Sequence, residues 1–308
     1  MGLFPCYNSD MATHITTLIE NHQDPKKTLR AEHGLSFFIR HNGTTLILDT
    51  GQSDGFIENA AALGVDLSTV QHIVISHSHY DHTDGLPHLM EHLLKSPAGP
   101  TLHLHRDFFH KKYADEEERL RYNGPSWDET TVKTWAKAWA SKASAPAQPH
   151  PVTLKTTEET GTTIAPDVHL VTRFARTHPL EVNNPRFVVR RTAGDSPLEI
   201  DDFRDEQCIV LETAKGLVVL VGCSHPGIMN MLDTIRSRFN APIHAVLGGT
   251  HLVEAQGPRL EEAVTYLTDG TIDRLGLSHC TGDTAMAILA DKTERFFPNV
   301  AGTVFSVS

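Results

Sequence analysis

Four side chains that can bind a metal ion fall within six consecutive positions of the chain. His77, His79, Asp81 and His82 form an H-x-H-x-D-H run, and imidazole and carboxylate are the ligands that zinc prefers where thiolates are absent. One open catalytic site usually takes only three protein ligands. We therefore expect two ions, with the first two histidines on one and Asp81 and His82 on the other. A bridging hydroxide would then be the nucleophile at neutral pH.

The run begins where a buried strand is predicted to end. Residues 72–76 read His-Ile-Val-Ile-Ser, and such an apolar run is typical of a strand covered on both faces. Residues that directly follow this strand are attached to a rigid support, and their side chains can project in several directions. A surface turn that holds histidines by chance is the competing interpretation, and the density of ligand-type residues argues against it.

Three later histidines also stand at predicted strand ends. His225, His251 and His279 each follow one of the later apolar segments. Strand ends on one edge of a sheet converge in space, so we expect all three to lie near the first run. His251 fits a role in substrate binding, or in orienting a ligand, as well as it fits ligation.

An arginine cluster bears on the substrate. Arg173, Arg176, Arg186, Arg190 and Arg191 fall within 19 residues that contain no lysine. Arginine is favoured where phosphate or carboxylate is held by two parallel hydrogen bonds. We expect the first three to bind a small anionic substrate, and a solvated strand face with ion pairs is the alternative.

Composition excludes several classes of protein. The 308 residues are 39% hydrophobic and 21% charged, which is typical of a globular protein. The net charge of −11 argues against nucleic acid as a partner, because phosphate backbones are held by positive surfaces. Four scattered cysteines without a C-x-x-C pair disfavour a zinc knuckle and a disulfide framework, and favour a reducing, cytoplasmic setting.

Other sequence signals are absent. No apolar stretch has the roughly 18 residues of a membrane helix, and we expect no signal peptide and no membrane partner. The sequence also has no P-loop, no G-x-S-x-G elbow and no H-E-x-x-H helix. Nucleotide-driven and serine-hydrolase functions are therefore unsupported.

The order of predicted elements is typical of two packed sheets with helices outside, an αββα sandwich. Asn42-Gly43 and Ala214-Lys215-Gly216 predict hairpin turns. The predicted strands are residues 14–19, 35–40, 44–49, 72–76, 168–172, 187–189, 207–212, 217–221, 244–247 and 272–277. The predicted helices outside the middle of the chain are residues 58–63, 228–239 and 260–267.

The middle of the chain has a different character. We expect a single domain over residues 1–308, with a helical lid or insertion at about 106–165. Within that stretch, Asp115–Arg119 predicts a solvated helix and Thr131–Lys142 an amphipathic helix. The composition of Ser144–Pro151 predicts a loop.

Several motifs together resemble a known superfamily. The sequence resembles the metallo-β-lactamase fold, and is most similar to its branch of 7,8-dihydropterin-6-methyl-4-(β-D-ribofuranosyl)aminobenzene-5′-phosphate-synthase-like proteins. The resemblance covers about residues 13–300 and is weakest over 106–165. The motifs are His33-Gly34-Leu35-Ser36, Leu48-Asp49-Thr50-Gly51, the run from Ser76 to Leu86, Gly222-Cys223-Ser224-His225, Gly248-Gly249-Thr250-His251-Leu252 and His279-Cys280-Thr281-Gly282.

The resemblance implies two mixed sheets flanked by helices and two further metal ligands. His279 is implied to close the second metal site, and His225 to complete the first. The better-known lactamase pattern has a bridging aspartate after a glycine, whereas this chain has Cys223 there. The bridging carboxylate is then either absent or supplied from elsewhere, for example by Asp205.

Three residues are candidates for catalysis. Asp81 would act as a ligand and in the reaction itself, and His251 would contact the substrate. His33 would polarise a substrate oxygen, with a hydrogen-bonded histidine beside a strand as the equally weighted alternative. Asp49 is expected to orient the metal-binding loop.

The ligand run and the resemblance together predict a metal-dependent hydrolase. It would use a metal-bound hydroxide on a small, anionic ester, either a phosphoester or a lactone. Two divalent ions are expected, with zinc favoured, and iron and manganese also suit these ligands. An iron-dependent oxidoreductase on the same fold and a non-catalytic ligand-binding protein are the alternatives.

Overall fold

Two β-sheets stack face to face, and helices cover their outer surfaces. The computed structural model describes residues 12–94, 99–116, 119–142, 153–157, 161–192, 194 and 196–308. Both sheets mix parallel and antiparallel pairs, so the predicted αββα sandwich of two mixed sheets is confirmed. None of the helices in these residues is long and apolar enough to cross a membrane.

The first sheet has seven strands in the order β17-β1-β2-β3-β4-β5-β8. The predicted Asn42-Gly43 hairpin joins β2 to β3, and both turn residues have positive φ angles of 47° and 76°. The bounds are β1 Thr13–Ile19, β2 Ser36–His41, β3 Thr44–Leu48, β4 His72–Val74, β5 Thr101–His105, β8 Thr153–Thr157 and β17 Val304–Val307.

The second sheet has six strands in the order β16-β15-β14-β13-β10-β9. Strands β14, β15 and β16 run parallel, so their carboxyl ends lie at one edge, and His225, His251 and His279 follow them. The bounds are β9 Gly161–Ala165, β10 Val168–Thr172, β13 Gln207–Thr213, β14 Gly216–Val221, β15 Ile243–Gly248 and β16 Ile272–Leu277.

Alternating side chains build three apolar layers. On β2, Phe37 and Ile39 point into the core between the sheets, whereas Phe38 packs in the layer under the helices. Helices α1 Gly55–Ala62, α3 Leu86–Leu93 and α4 Glu129–Lys142 cover the first sheet, and α5 Ile228–Phe239, α6 Gly257–Thr268 and α7 Asp283–Lys292 cover the second. The short helix α2, Tyr80–Thr83, carries part of the ligand run.

A third, smaller sheet was not predicted. Its order is β12-β11-β6-β7, and we call it the accessory sheet. It contains β6 Lys111–Glu116, β7 Arg119–Tyr122, β11 Phe187–Arg190 and β12 Glu199–Ile200.

The helix predicted over Asp115–Arg119 is therefore wrong. Asp115 pairs with Leu120 of β7, and β6 is paired with β11 on its other side. Backbone hydrogen bonds to both neighbours keep these residues extended, while the side chains of Asp115 and Glu116 remain exposed. In the described part of 106–165, helix is limited to α4, with β6, β7, β8 and β9 around it. The predicted loop over Ser144–Pro151 lies outside the described residues. The division into one domain with an insertion stays a prediction.

Candidate metal centre

The H-x-H-x-D-H run is anchored to the end of β4. Ser76 donates to Asp49 twice, from its backbone N to Oδ1 at 2.6 Å and from its hydroxyl to Oδ2 at 2.8 Å. Asp49 itself follows β3, the parallel neighbour of β4. Gly222, after β14, lies so close that a Cβ there would sit 2.1 Å from Ser76 Oγ. The two sheets thus meet where the ligands emerge.

Three imidazoles form the first ligand group. One ring nitrogen from each of His77, His79 and His225 lies within 4.8 Å of the others, and all three residues are buried. Their Nε2 atoms have no hydrogen-bond partner among the residues that the structure describes, and a buried polar atom without a partner is costly. A divalent cation would satisfy all three at once, so this group fits a metal ion on its own geometry. This joins His225 to the two histidines of the first run, as expected.

The second ligand group contains four residues. Asp81, His82, Cys223 and His279 each bring one ligand atom within 4.8 Å of the others, and all are buried. His279 Nε2 lies 3.2 Å from Asp81 Oδ2, and His82 Nε2 lies 3.1 Å from the Cys223 thiol. The cysteine that replaces the expected aspartate therefore occupies a ligand position itself. The two groups adjoin, since the rings of His77 and His82 are 4.4 Å apart.

Hydrogen bonds to the outer ring nitrogens aim the imidazoles inward. His82 Nδ1 lies 2.6 Å from Asp49 Oδ2, and His77 Nδ1 lies 2.9 Å from the Ser76 hydroxyl. His279 Nδ1 bonds to Asn21 Oδ1 at 2.8 Å. With Nδ1 engaged, Nε2 faces the centre in each case, which is the usual way that metal-binding histidines are oriented.

Comparison with known proteins bears on the same centre. A sequence profile described as the metallo-beta-lactamase superfamily matches residues 29–179, which include the H-x-H-x-D-H run. The crystal structure of Tm1679, described as a metal-dependent hydrolase of the β-lactamase superfamily, has a TM-score of 0.78 to this chain at 29% identity. That similarity covers 96% of this chain and 99% of Tm1679. The chain carries a metallo-β-lactamase superfamily domain.

Two further proteins are similar along nearly their whole length. The 7,8-dihydropterin-6-methyl-4-(β-D-ribofuranosyl)-aminobenzene-5′-phosphate synthase of Methanocaldococcus jannaschii is 26% identical over 296 residues, which is 92% of each chain. The zinc-bound PqqB of Methylobacterium extorquens shares the fold, with a TM-score of 0.57 at 13% identity over 95% of this chain and 99% of PqqB. The resemblance to the superfamily and to the synthase branch is confirmed.

Burial makes the first ligand group neutral. It lowers the pKa values of His77, His79 and His225 well below the usual value for histidine. Neutral imidazole is the form that binds metal. The first group is therefore ready to accept a cation without first losing protons.

The second group has the opposite electrostatics. Burial alone would lower the pKa of His82, but the carboxylates of Asp49 and Asp81 raise it to about 9. Burial likewise favours a proton on Asp81, yet the positive charge of His82 and a hydrogen bond from His279 hold the pKa of this carboxyl below its usual value. The carboxylates of Asp49 and Asp81 thus stabilise a positive charge beside them. The imidazole proton of His82 carries that charge in the free protein, and a bound metal ion would replace it.

Asp205 does not supply a bridging carboxylate. Its Oδ2 accepts from the backbone N and the hydroxyl of Ser78, both at 2.9 Å, and its Oδ1 accepts from Lys112 at 2.5 Å. Both oxygens are therefore engaged away from the ligand atoms. Of the two alternatives for the bridging carboxylate, supply by Asp205 is therefore wrong, because Ser78 and the buried Lys112 of the accessory sheet occupy both of its oxygens. Asp205 instead holds the turn between His77 and His79.

His33 and His251 lie beside the ligand groups without belonging to either. His33 Nε2 is 3.3 Å from Asp81 Oδ2, and its side chain is 53% exposed. The ring of His251 lies 4.4 Å from that of His225, and burial lowers the pKa of His251 to about 3. Its backbone has a φ of 49°, a conformation that non-glycine residues adopt where the surroundings impose it. Both side chains lie close enough to the ligand groups to contact a substrate bound there.

The predicted arginine cluster separates into three parts. Arg186 forms an ion pair with Glu254, and its guanidinium lies 5.0 Å from the Phe187 ring centroid, close to His251. Arg173 and Arg176 instead line a cavity next to Phe203. The remaining two, Arg190 and Arg191, bond within the accessory-sheet region. The three arginines predicted to bind substrate therefore do not form a single site.

Some site residues were missed in the sequence. Asn21 and Lys112 each support a ligand, and nothing in their local pattern marks them. Cys223 did carry a signal, because it stands where the lactamase pattern has a carboxylate and thiolate is a strong zinc ligand.

Proposed function

We propose that this protein is a metal-dependent hydrolase that acts on a small, anionic ester, a phosphoester or a lactone. The observation that carries the proposal is the pair of adjoining buried ligand groups, one of which has three inward-facing Nε2 atoms without partners. The description of the similar Tm1679 as a metal-dependent hydrolase supports the same class of reaction.

Bound divalent ions would lower the pKa of water and polarise the substrate oxygen. The chain's own residues hold the ligands for that chemistry. Asp49 fixes His82, and Asn21 fixes His279, each through Nδ1. The Phe187 and Phe203 rings lie 5.4 Å and 5.6 Å from that of His79. These rings keep bulk water from one side of the first group, which strengthens electrostatic interactions inside it.

His33 and His251 are the residues we assign to the substrate. The half-exposed His33 has its Nε2 beside Asp81, so it can donate a hydrogen bond to a substrate oxygen held at the second ligand group. His251 borders His225 on the other group. Arg186, beside Phe187, is placed to attract an anionic substituent.

Two observations support an anionic ester. Arginines accompany the centre in a chain whose net charge is −11, and the similar archaeal synthase is named for a product that carries a 5′-phosphate. Zinc suits the mixed imidazole, carboxylate and thiol ligands, and two ions suit two groups. The metal identity and number are part of this proposal.

The test combines metal analysis with a substrate screen. Protein purified without added metal is analysed for zinc, iron and manganese, and then assayed against phosphomonoesters, phosphodiesters and lactones. His79→Gln and Asp81→Asn are compared with His88→Gln, a matched change at an exposed histidine of α3. We expect zinc and ester hydrolysis in the parent and in His88→Gln, and loss of both in the other two.

Three results would contradict the proposal. Full hydrolysis in His79→Gln or Asp81→Asn would separate the reaction from the ligand groups. Stoichiometric iron with a visible absorption band and no hydrolysis would favour the iron-dependent oxidoreductase. Metal-loaded protein that turns over none of the esters would favour a non-catalytic ligand-binding protein.

A further inference from the structure

A cavity of about 890 Å³ borders the metal centre at Phe203. Its walls come from the end of β5, the segment that follows β10, and one side of α5. Phe203 lines the cavity and also stacks on His225. The volume falls in the range of roughly 300–1,000 Å³ that small-molecule sites occupy.

The cavity is lined by a concentration of positive charge. Five guanidinium groups and three aspartate carboxylates line it, whereas the whole chain has 27 basic and 38 acidic residues. The local balance is therefore opposite in sign to that of the protein. The arginines are Arg106, Arg173, Arg176, Arg204 and Arg238.

Each of the three aspartates of the cavity has a partner, and two of those partners are the cavity arginines Arg106 and Arg204. Asp107 pairs with Arg106 at 3.6 Å, Asp202 with Arg191 and Arg204, and Asp233 with His178 at 2.8 Å. In the described part of the chain, Arg173 and Arg176 form no ion pair with any of the three. Their charges therefore stay available to a ligand inside the cavity.

Backbone carbonyls hold two of the guanidinium groups in place. Arg176 donates to the carbonyls of Pro226 and Asp202 at 2.5 Å and 2.7 Å, and Arg238 donates to those of Thr172 and Arg173 at 2.8 Å and 2.6 Å. A carbonyl orients a guanidinium without itself carrying a formal counter-charge. Such groups lose little conformational entropy when an anion binds.

We propose that this cavity binds a small molecule through its phosphate group. Guanidinium groups hold phosphate by paired, charge-assisted hydrogen bonds, and several of them around one cavity suit a dianion better than a neutral ligand. Arg176 also connects the cavity to the loop of His225, because it bonds to Pro226, the next residue. The proposal does not depend on which reaction the metal centre performs.

The experiment measures binding of inorganic pyrophosphate to the full-length, metal-loaded protein by calorimetry. Arg173→Gln is the main variant, since its exposed side chain makes few contacts that folding requires. Arg190→Gln is the matched control, because it removes the same charge from the accessory sheet, outside the cavity. Asp81→Asn reports whether the probe binds at the metals.

We expect saturable binding that is roughly tenfold weaker in Arg173→Gln, unchanged in Arg190→Gln and retained in Asp81→Asn. Three outcomes would overturn the proposal. The first is that the parent protein does not bind pyrophosphate. The second is that Arg190→Gln weakens binding as much as Arg173→Gln does, and the third is that Asp81→Asn alone abolishes binding. The last result would place the anion on the metals. Because the readout is binding, failure here leaves the proposed hydrolase untouched.

Discussion

The ring of Phe203 stacks on the imidazole of His225, with centroids 3.9 Å apart and ring planes within 6°. The ammonium of Lys112 lies 4.5 Å from the same phenylalanine ring. Lys112 is 2% exposed and sits between Asp201, at 3.0 Å, and Asp205, at 2.5 Å. Lys112 thus contacts Phe203, which stacks on His225. It also bonds to Asp205, which holds the turn that carries His77 and His79.

Replacement of Lys112 by methionine should destabilise the protein strongly. The change leaves Asp201 and Asp205 buried without their cation, and breaking a buried ion pair in this way costs about 3–5 kcal/mol. Lys111→Met is the matched control, because the neighbouring side chain on β6 is exposed. Urea unfolding of the metal-loaded proteins measures the difference. Equal midpoints for the two variants would show that Lys112 does not support the centre.

Phe203→Leu should weaken metal binding at the first ligand group while the fold is kept. Leucine fills much of the space but cannot stack on His225, so the imidazole gains freedom that binding must then remove. We expect affinity to fall by roughly tenfold, at the lower end of effects on residues that support ligands. Competition with a chelator measures it, with Phe109→Leu as the control, because the Phe109 ring packs against Phe108 and Trp127. An affinity equal to that of the parent would mean that stacking contributes nothing to His225.

The sequence predicted the part of the centre that is local, and missed the part that depends on long-range packing. His77, His79, Asp81 and His82 lie within six positions, so their chemistry shows before any fold is known. The later histidines could be placed because parallel strands end at one edge. Lys112 could not, since its burial depends on an accessory sheet that joins residues far apart in the chain.

For the fold as well, local features were predicted from the sequence and features that depend on long-range packing were not. Helix α5, which has a clear apolar period, has the predicted bounds Ile228–Phe239, whereas α6 begins three residues before its predicted start and ends one residue later. The helix predicted over Asp115–Arg119 was wrong because charged residues are compatible both with an exposed helix and with paired strands whose side chains are exposed. Only the partners of β6, which come from β7 and β11, decide between them.

Asp49→Asn should reduce metal affinity at the second ligand group by roughly 10–100-fold. The amide loses the negative charge that orients His82 through Nδ1 and that favours a cation beside it. Asp167→Asn, on an exposed turn, is the control for loss of one negative charge. Metal content after dialysis at a fixed free zinc concentration gives the measurement. Full occupancy of both groups in Asp49→Asn would contradict the orienting role.

Cys223 should be a thiolate ligand once metal is bound. Burial raises the pKa of its thiol well above the usual value, so the free protein keeps the proton. A metal ion at the second group would displace it, as coordinating thiols are deprotonated outright. Cobalt(II) substituted into the protein then gives a near-ultraviolet sulfur-to-cobalt band that imidazole and carboxylate ligands do not produce.

We expect Cys223→Ser to lose this band and to keep the weaker visible bands of cobalt held by His77, His79 and His225. Cys208→Ser is the matched control, because Cys208 is equally buried on β13 and belongs to neither ligand group. A band that persists in Cys223→Ser would assign the sulfur to another cysteine and leave the second group with only Asp81, His82 and His279.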